Sequence, residues 1–109
     1  LVQSNGSVHV CGKTEADLPT ALNWLYTEWR VKRLLCEGGG QLNGSLLAAK
    51  LVDEIHLTIC PKIVGGRNAP TIADGVLADR LIDARQFKLK SMSPKGEEVF
   101  LVYRARVTS

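Results

Sequence analysis

Paired cysteines are missing from this sequence. Cys11, Cys36 and Cys60 are three in number, far apart, each within or at the end of an apolar run. With no CxxC and no Cys/His spacing, neither a disulfide framework nor a zinc site is expected. The three read as small buried residues of a protein kept in a reducing compartment. A basic tract is also absent: Arg30, Lys32, Arg33, Lys62, Arg67, Lys88, Lys90, Arg104 and Arg106 are scattered, and the net charge is only +3. Nucleic-acid binding needs a concentrated basic surface and, for single strands, aromatic platforms, and aromatics make up just 6% of the residues. No apolar run approaches the length of a membrane span, and no signal peptide is recognisable. A cytoplasmic protein that touches neither membrane nor nucleic acid is expected. An initiator methionine is lacking as well, and "LVQSNGSVHV" reads as a piece cut from within a longer chain.

What is present is one domain's worth of material, 109 residues with 45% apolar content, so a single domain over 1–109 is expected. Val8–Cys11 reads as a short strand between Asn5-Gly6-Ser7 and Gly12. Asp17 suits an N-cap and Pro19 the first helical turn, where a missing N–H does no harm. Leu18, Ala21, Leu22, Leu25 and Trp29 then fall on one helical face. Lys32–Cys36 ends in a continuous apolar triplet, which fits a strand covered on both sides. Leu42, Ser45, Leu46 and Ala49 mark a helix from about Gln41 to Lys50. Glu54–Cys60 alternates as a strand, with Ile55, Leu57 and Ile59 on one face. The order β-α-β-α-β predicts a parallel sheet with right-handed crossovers. After a long Gly/Pro-containing connection, Leu77–Ala84 has room for one helical turn. Phe87, Leu89 and Ser91 alternate with Lys88, Lys90 and Met92. "SPKG" reads as a turn, and Val99, Leu101, Tyr103 and Val107 form a closing strand. The expected fold is thus a parallel core with a C-terminal antiparallel hairpin.

The densest chemistry lies in "LLCEGGGQLNGS", Leu34–Ser45. Three consecutive glycines are costly to order. At the carboxyl end of a parallel strand and the start of a helix, they lie where free N–H groups and the helix dipole favour a phosphate, provided no side chain blocks the approach. A tight strand–helix turn would need one glycine rather than three. Gly39 and Gly44 have P-loop spacing, but Ser45 stands where the lysine belongs. The dinucleotide fingerprint fails too, because Gly38-x-Gly40-x-x is followed by Asn43. Asp53 and Glu54 precede the next strand and are poorly placed to reach a ribose. His9 and His56, single residues in strands, read as structural, Trp24 and Trp29 as helix packing, and no metal site is expected. Lys13, Thr14 and Lys62 are weak phosphate contacts at most.

The run "CEGGGQLNGSLLAAKLVDEIHLTICPKIVGG", with "APTIADG" after it, resembles the C-terminal reductase domain of bacterial and archaeal riboflavin-biosynthesis proteins, which share the dihydrofolate-reductase-like fold. The resemblance implies that Gly38, Gly39, Gly40, Gln41, Leu42, Asn43, Gly44 and Ser45 hold the pyrophosphate of NADPH. It implies that Glu37 contacts the pyrimidine or ribityl side of the substrate, and that Gly38–Gly39 is the place for a cis peptide. The reaction implied is reduction of a ribosylamino-pyrimidine 5′-phosphate to its ribitylamino form. The rivals are another dihydrofolate-reductase-like enzyme acting on a pterin, and a non-catalytic nucleotide-binding or dimerisation module. The family domain is longer than this chain. The expectation is therefore a partial domain, completed by an N-terminal chain or a homodimer partner, with strand pairing or poor solubility if it stands alone.

Overall fold

A computed structural model describes residue 6 and residues 8–106. The chain divides into two compact units, Leu1–Cys36 and Glu37–Ser109.

The first unit is built on helix α1, Leu18–Trp29. The Asp17 side chain accepts the Thr20 N–H at 3.1 Å, and Pro19 lies in the first turn. The helix ends where Arg30 turns left-handed (φ 56) and the N–H of Val31 reaches back to Leu25 O at 3.1 Å. His9 stacks on Trp24 with ring centroids 4.0 Å apart and planes 9° apart, and Trp24 tilts against Trp29. The packing role expected for these residues is therefore visible as contacts. The two flanking segments differ from expectation. Val8–Cys11 and Lys32–Cys36 form no ladder, and Val8, Val10 and Leu35 are strongly exposed. A strand exists only through a ladder to a neighbouring strand, and neither segment joins a ladder among the described residues.

The second unit holds helix α2 (Gly40–Ala48) and strands β1 (Glu54–Ile59), β2 (Phe87–Lys95) and β3 (Glu98–Ala105), with a 3₁₀ turn at Leu81–Asp83. The sheet order is β1-β3-β2 and both pairings are antiparallel. The expected parallel β-α-β-α-β core is thus not formed among the described residues. What the sequence pattern predicted correctly is the C-terminal hairpin and the strand β1 that joins it. Helix α2 is closed by two reaching bonds, Leu51 N–H to Leu46 O (2.9 Å) and Lys50 N–H to Leu47 O (3.0 Å), around a left-handed Lys50 (φ 58). A glycine adopts that conformation without the Cβ penalty. Lys50→Gly is therefore expected to stabilise the protein by about 1 kcal/mol, read as a higher denaturant midpoint at unchanged slope.

The hairpin turns later than "SPKG" suggests. Gly96 (φ 64) and Glu97 form the two-residue turn, and Pro94 pairs with Val99 inside β2. Proline is tolerated there because β2 is an edge strand. The register shifts by one between Leu89 and Ser91, leaving Lys90 as the extra residue of a bulge. Directly paired residues share a face, so Met92 joins Leu101 and Leu57 on the apolar side, and Ser91 joins Val102 and His56 on the other. Simple alternation assigns Ser91 and Met92 the opposite way, and the bulge corrects it. Val107 lies outside the described residues. Leu46 is the one buried apolar side chain among the described residues, whereas Ile59, Leu89 and Met92 remain exposed.

On the sheet's polar face one carboxylate ties all three strands together. Glu54 of β1 meets Arg104 Nη2 of β3 at 2.6 Å and Lys90 Nζ of β2 at 3.0 Å, while His56 Nε2 lies 3.2 Å from its other oxygen. Hydrogen bonds from Arg104, then Lys90 and His56, lower the Glu54 carboxyl from 4.5 to about 2. Glu54 is thus a cross-strand tie. A depressed carboxyl stabilises the folded state above its unfolded value and loses that contribution as pH falls through the folded one. Glu54→Gln is expected to flatten the stability curve between pH 4.5 and about 2, a change checked by acid titration of both proteins followed by circular dichroism.

Candidate functional site

The glycine stretch lies in the second unit and leads into α2. Two of its glycines, Gly39 and Gly40, turn out to have different reasons for being bare. Gly39, the residue before the helix, has φ −72 and ψ 175, ordinary extended backbone. A Cβ placed on it would meet nothing within 4 Å. Neither backbone strain nor packing within the described residues requires glycine at this position. Gly40 is the opposite case: a Cβ there would lie 2.6 Å from Asp74 Oδ1 and 2.7 Å from Thr71 O. One turn on, a Cβ at Gly44 would overlap Asp74 O. Gly40 and Gly44 thus form a groove on one face of α2 into which a loop settles backbone to backbone.

That loop is Thr71–Gly75. Its Asp74 N–H donates to Gly40 O at 2.9 Å, and Asn43 Nδ2 donates to Ile72 O at 2.9 Å. The Thr71 hydroxyl lies 2.8 Å from Asp74 Oδ1 and 2.9 Å from Ala73 O, closing the loop on itself. Gly75 (φ 91) then turns the chain along the helix. Between helix and loop runs an open cleft of about 430 Å³, lined by Gln41, Gly44, Ser45 and Ala48 on one side and Asp74, Gly75, Val76 and Leu77 on the other.

At the mouth of the helix the first helical bond is Asn43 N–H to Gly39 O, at 3.0 Å. The N–H groups of Gly40, Gln41 and Leu42 precede it and have no helical acceptor. No side chain caps this end. Such an end is electropositive, and a Cβ at Gly39 beside it would meet nothing within 4 Å.

The residues singled out by sequence are distributed over this arrangement unequally. Gln41, Gly44 and Ser45 line the cleft, and Gly39 stands open beside it. Gly40 lies under the loop and Asn43 anchors it. Leu42 is partly exposed and lies outside the cleft lining, as does the exposed Glu37. Every described peptide bond is trans, so the cis bond expected at Gly38–Gly39 is not present. Sequence reasoning missed the opposite wall, Asp74, Gly75, Val76 and Leu77, and Thr71, which closes the loop behind it. The signal was available in "APTIADG", where a threonine three residues before an aspartate and a following glycine mark a self-closed turn. Among the described residues no group of His, Cys, Asp and Glu could hold a metal ion, and no helix is long and apolar enough to cross a membrane.

An α/β chain with this glycine-opened helix start matches the RibD C-terminal domain over residues 2–101, and it belongs to that family. Among its curated relatives, the 2,5-diamino-6-ribosylamino-4(3H)-pyrimidinone 5′-phosphate reductase of Methanothermobacter thermautotrophicus is 37% identical over 105 residues, covering 96% of this chain and 48% of that protein. The protein of the same name from Archaeoglobus fulgidus is 40% identical over 74 residues, covering 68% of this chain and 33% of the relative. The riboflavin biosynthesis protein RibD of Actinobacillus pleuropneumoniae is 40% identical over 76 residues, 70% of this chain and 20% of its own. The chain spans less than half the length of these curated relatives. In structure it is similar to Acinetobacter baumannii RibD, with a TM-score of 0.75 at 21% identity, covering 84% of this chain and 25% of that one. A pyrimidine reductase-like protein of Corynebacterium diphtheriae gives a TM-score of 0.68 at 23% identity, over 87% of this chain and 37% of its own. At these identities the structural likeness is one of fold.

Proposed function

We propose that this chain is the nucleotide-binding part of a riboflavin-biosynthesis reductase, which reduces a ribosylamino-pyrimidine 5′-phosphate to its ribitylamino form with a reduced nicotinamide dinucleotide, NADPH as the resemblance implies. The observation that carries the reading is Gly39: a bare residue that neither packing nor backbone geometry explains, at an uncapped helix start. A pyrophosphate fits there, accepting from the N–H groups of Gly40, Gln41 and Leu42. The dinucleotide, when bound, supplies the hydride, and the protein's share is to place it against the sugar carbon and keep water away. Glu37, immediately before the glycines, is the acceptor for amino or hydroxyl donors of the pyrimidine or ribityl portion.

The same reading gives Val8–Cys11 and Lys32–Cys36 a purpose. They are the parallel strands of a dihydrofolate-reductase-like sheet over a single domain, completed by further chain or by a homodimer partner in a cytoplasmic enzyme. The reading is tested by following loss of NADPH absorbance on adding the pyrimidine phosphate. Turnover supports it. Binding of NADPH without turnover of any pyrimidine favours a non-catalytic nucleotide module, and turnover of a pterin instead favours the other enzymatic rival.

A further inference from the structure

The loop that faces α2 is held there by polar bonds rather than by burial. Thr71, Ile72, Asp74, Gly75 and Val76 are all exposed, Ile72 at 64% and Val76 at 84%. Apolar contact therefore does little to fix the loop, and two hydrogen bonds about one helical turn apart set its position. The Asp74 N–H donates to Gly40 O at 2.9 Å, and Asn43 Nδ2 donates to Ile72 O at 2.9 Å. The Thr71 hydroxyl, 2.8 Å from Asp74 Oδ1, keeps the turn between them closed.

The Gly40 carbonyl that accepts from Asp74 shares one planar peptide unit with the Gln41 N–H. That N–H is one of the three at the helix start without a helical acceptor. A hydrogen bond accepted at one end of a peptide unit holds its plane and strengthens the donor at the other end. Asn43 adds a second hold. Its backbone N–H closes the first turn on Gly39 O at 3.0 Å, and its side chain pins Ile72 of the loop. One residue thus joins the helix start to the loop that orients it. We propose that Asn43 is a positioning residue for the phosphate seat: it clasps the 71–75 loop, whose Asp74 N–H aims and polarises the Gly40–Gln41 peptide toward a bound dinucleotide. The inference rests on the nucleotide reading of the glycine seat, and it gives Asn43 a role through the loop in place of a direct phosphate contact.

The test pairs equilibrium titration with NADPH, followed by nicotinamide fluorescence, with the amide spectrum of the ligand-free ¹⁵N-labelled protein. Asn43→Leu keeps the shape of the side chain and a good helix former while removing the donor. It is expected to weaken NADPH binding by about fivefold to tenfold, the loss of one neutral hydrogen bond, and to move the Gln41 and Asp74 amide signals before any ligand is added. Asn43→Gln restores an amide donor and is expected to recover most of the affinity. Gly44→Ala lifts the same loop from the next turn without touching the Asn43 side chain, and is expected to weaken binding by a similar factor. Weak binding in Asn43→Leu with wild-type affinity in Gly44→Ala would overturn the proposal and make Asn43 a direct phosphate contact. Wild-type affinity and an unmoved Gln41 signal in folded Asn43→Leu would overturn it as well, leaving the phosphate seat standing. A folded wild-type protein that binds no NADPH overturns the seat and the proposal together.

Discussion

Replacing Gly44 by alanine is expected to lower the melting temperature by roughly 5–10 °C, corresponding to about 1–2 kcal/mol. The sign is what makes the result informative. Helix propensity alone favours alanine over glycine in the middle of α2 by about 1 kcal/mol, and it predicts a gain. The added methyl, however, would overlap the carbonyl oxygen of Asp74, a backbone atom that cannot rotate aside. Overpacking of this kind costs about 1–3 kcal/mol or more, and the loop must lift to relieve it. Lifting it stretches the Asp74 N–H to Gly40 O and Asn43 Nδ2 to Ile72 O bonds together. Thermal unfolding followed by circular dichroism decides the matter. A raised melting temperature in Gly44→Ala would mean that the loop does not press on the helix.

Gly39→Val is expected to do the reverse: leave stability intact and weaken nucleotide binding by about 30-fold or more. The position has extended backbone and open space around it, so valine fits without strain. Fewer conformations in the unfolded chain even favour the variant by about 0.4–1 kcal/mol. A branched side chain at the mouth of α2 nevertheless stands in the path of a pyrophosphate. Losing one charge-assisted hydrogen bond of about 2 kcal/mol is a 30-fold loss of affinity. Fluorescence titration with NADPH and NADH, paired with a melting curve, separates the two effects. Unchanged affinity would place the phosphate elsewhere. A collapse in stability would mean that Gly39 is bare for structural reasons.

These two glycines also mark how far the sequence could be read. Their excess was visible as a string of letters, and so was the phosphate chemistry of a helix start. Which glycine faces the ligand and which faces the protein was not, because Gly40 and Gly44 owe their bareness to Asp74, thirty residues away in sequence. Local signals read well: Asp17 caps α1, and the alternation of Ile55, Leu57 and Ile59 gives β1. The bulge at Lys90 was hidden because an extra residue leaves no trace in composition, although the apolar Met92 following a polar Ser91 is its consequence. The apolar segments at Val8–Cys11 and Lys32–Cys36 carry strand-like sequence but join no ladder among the described residues, and pairing is a property of two strands' edges, which no single segment records. The Glu54 tie likewise joins residues 36 and 50 positions apart.

The central claim is that the uncapped start of α2 is a seat for a dinucleotide's phosphates. The most direct measurement is the amide spectrum of the ¹⁵N-labelled protein as NADPH or NADH is added. The account predicts that the N–H signals of Gly40, Gln41 and Leu42 move first and furthest, saturating with the same constant as the nicotinamide fluorescence. Binding that leaves those three amides unmoved, or a folded protein that binds neither dinucleotide, would contradict it.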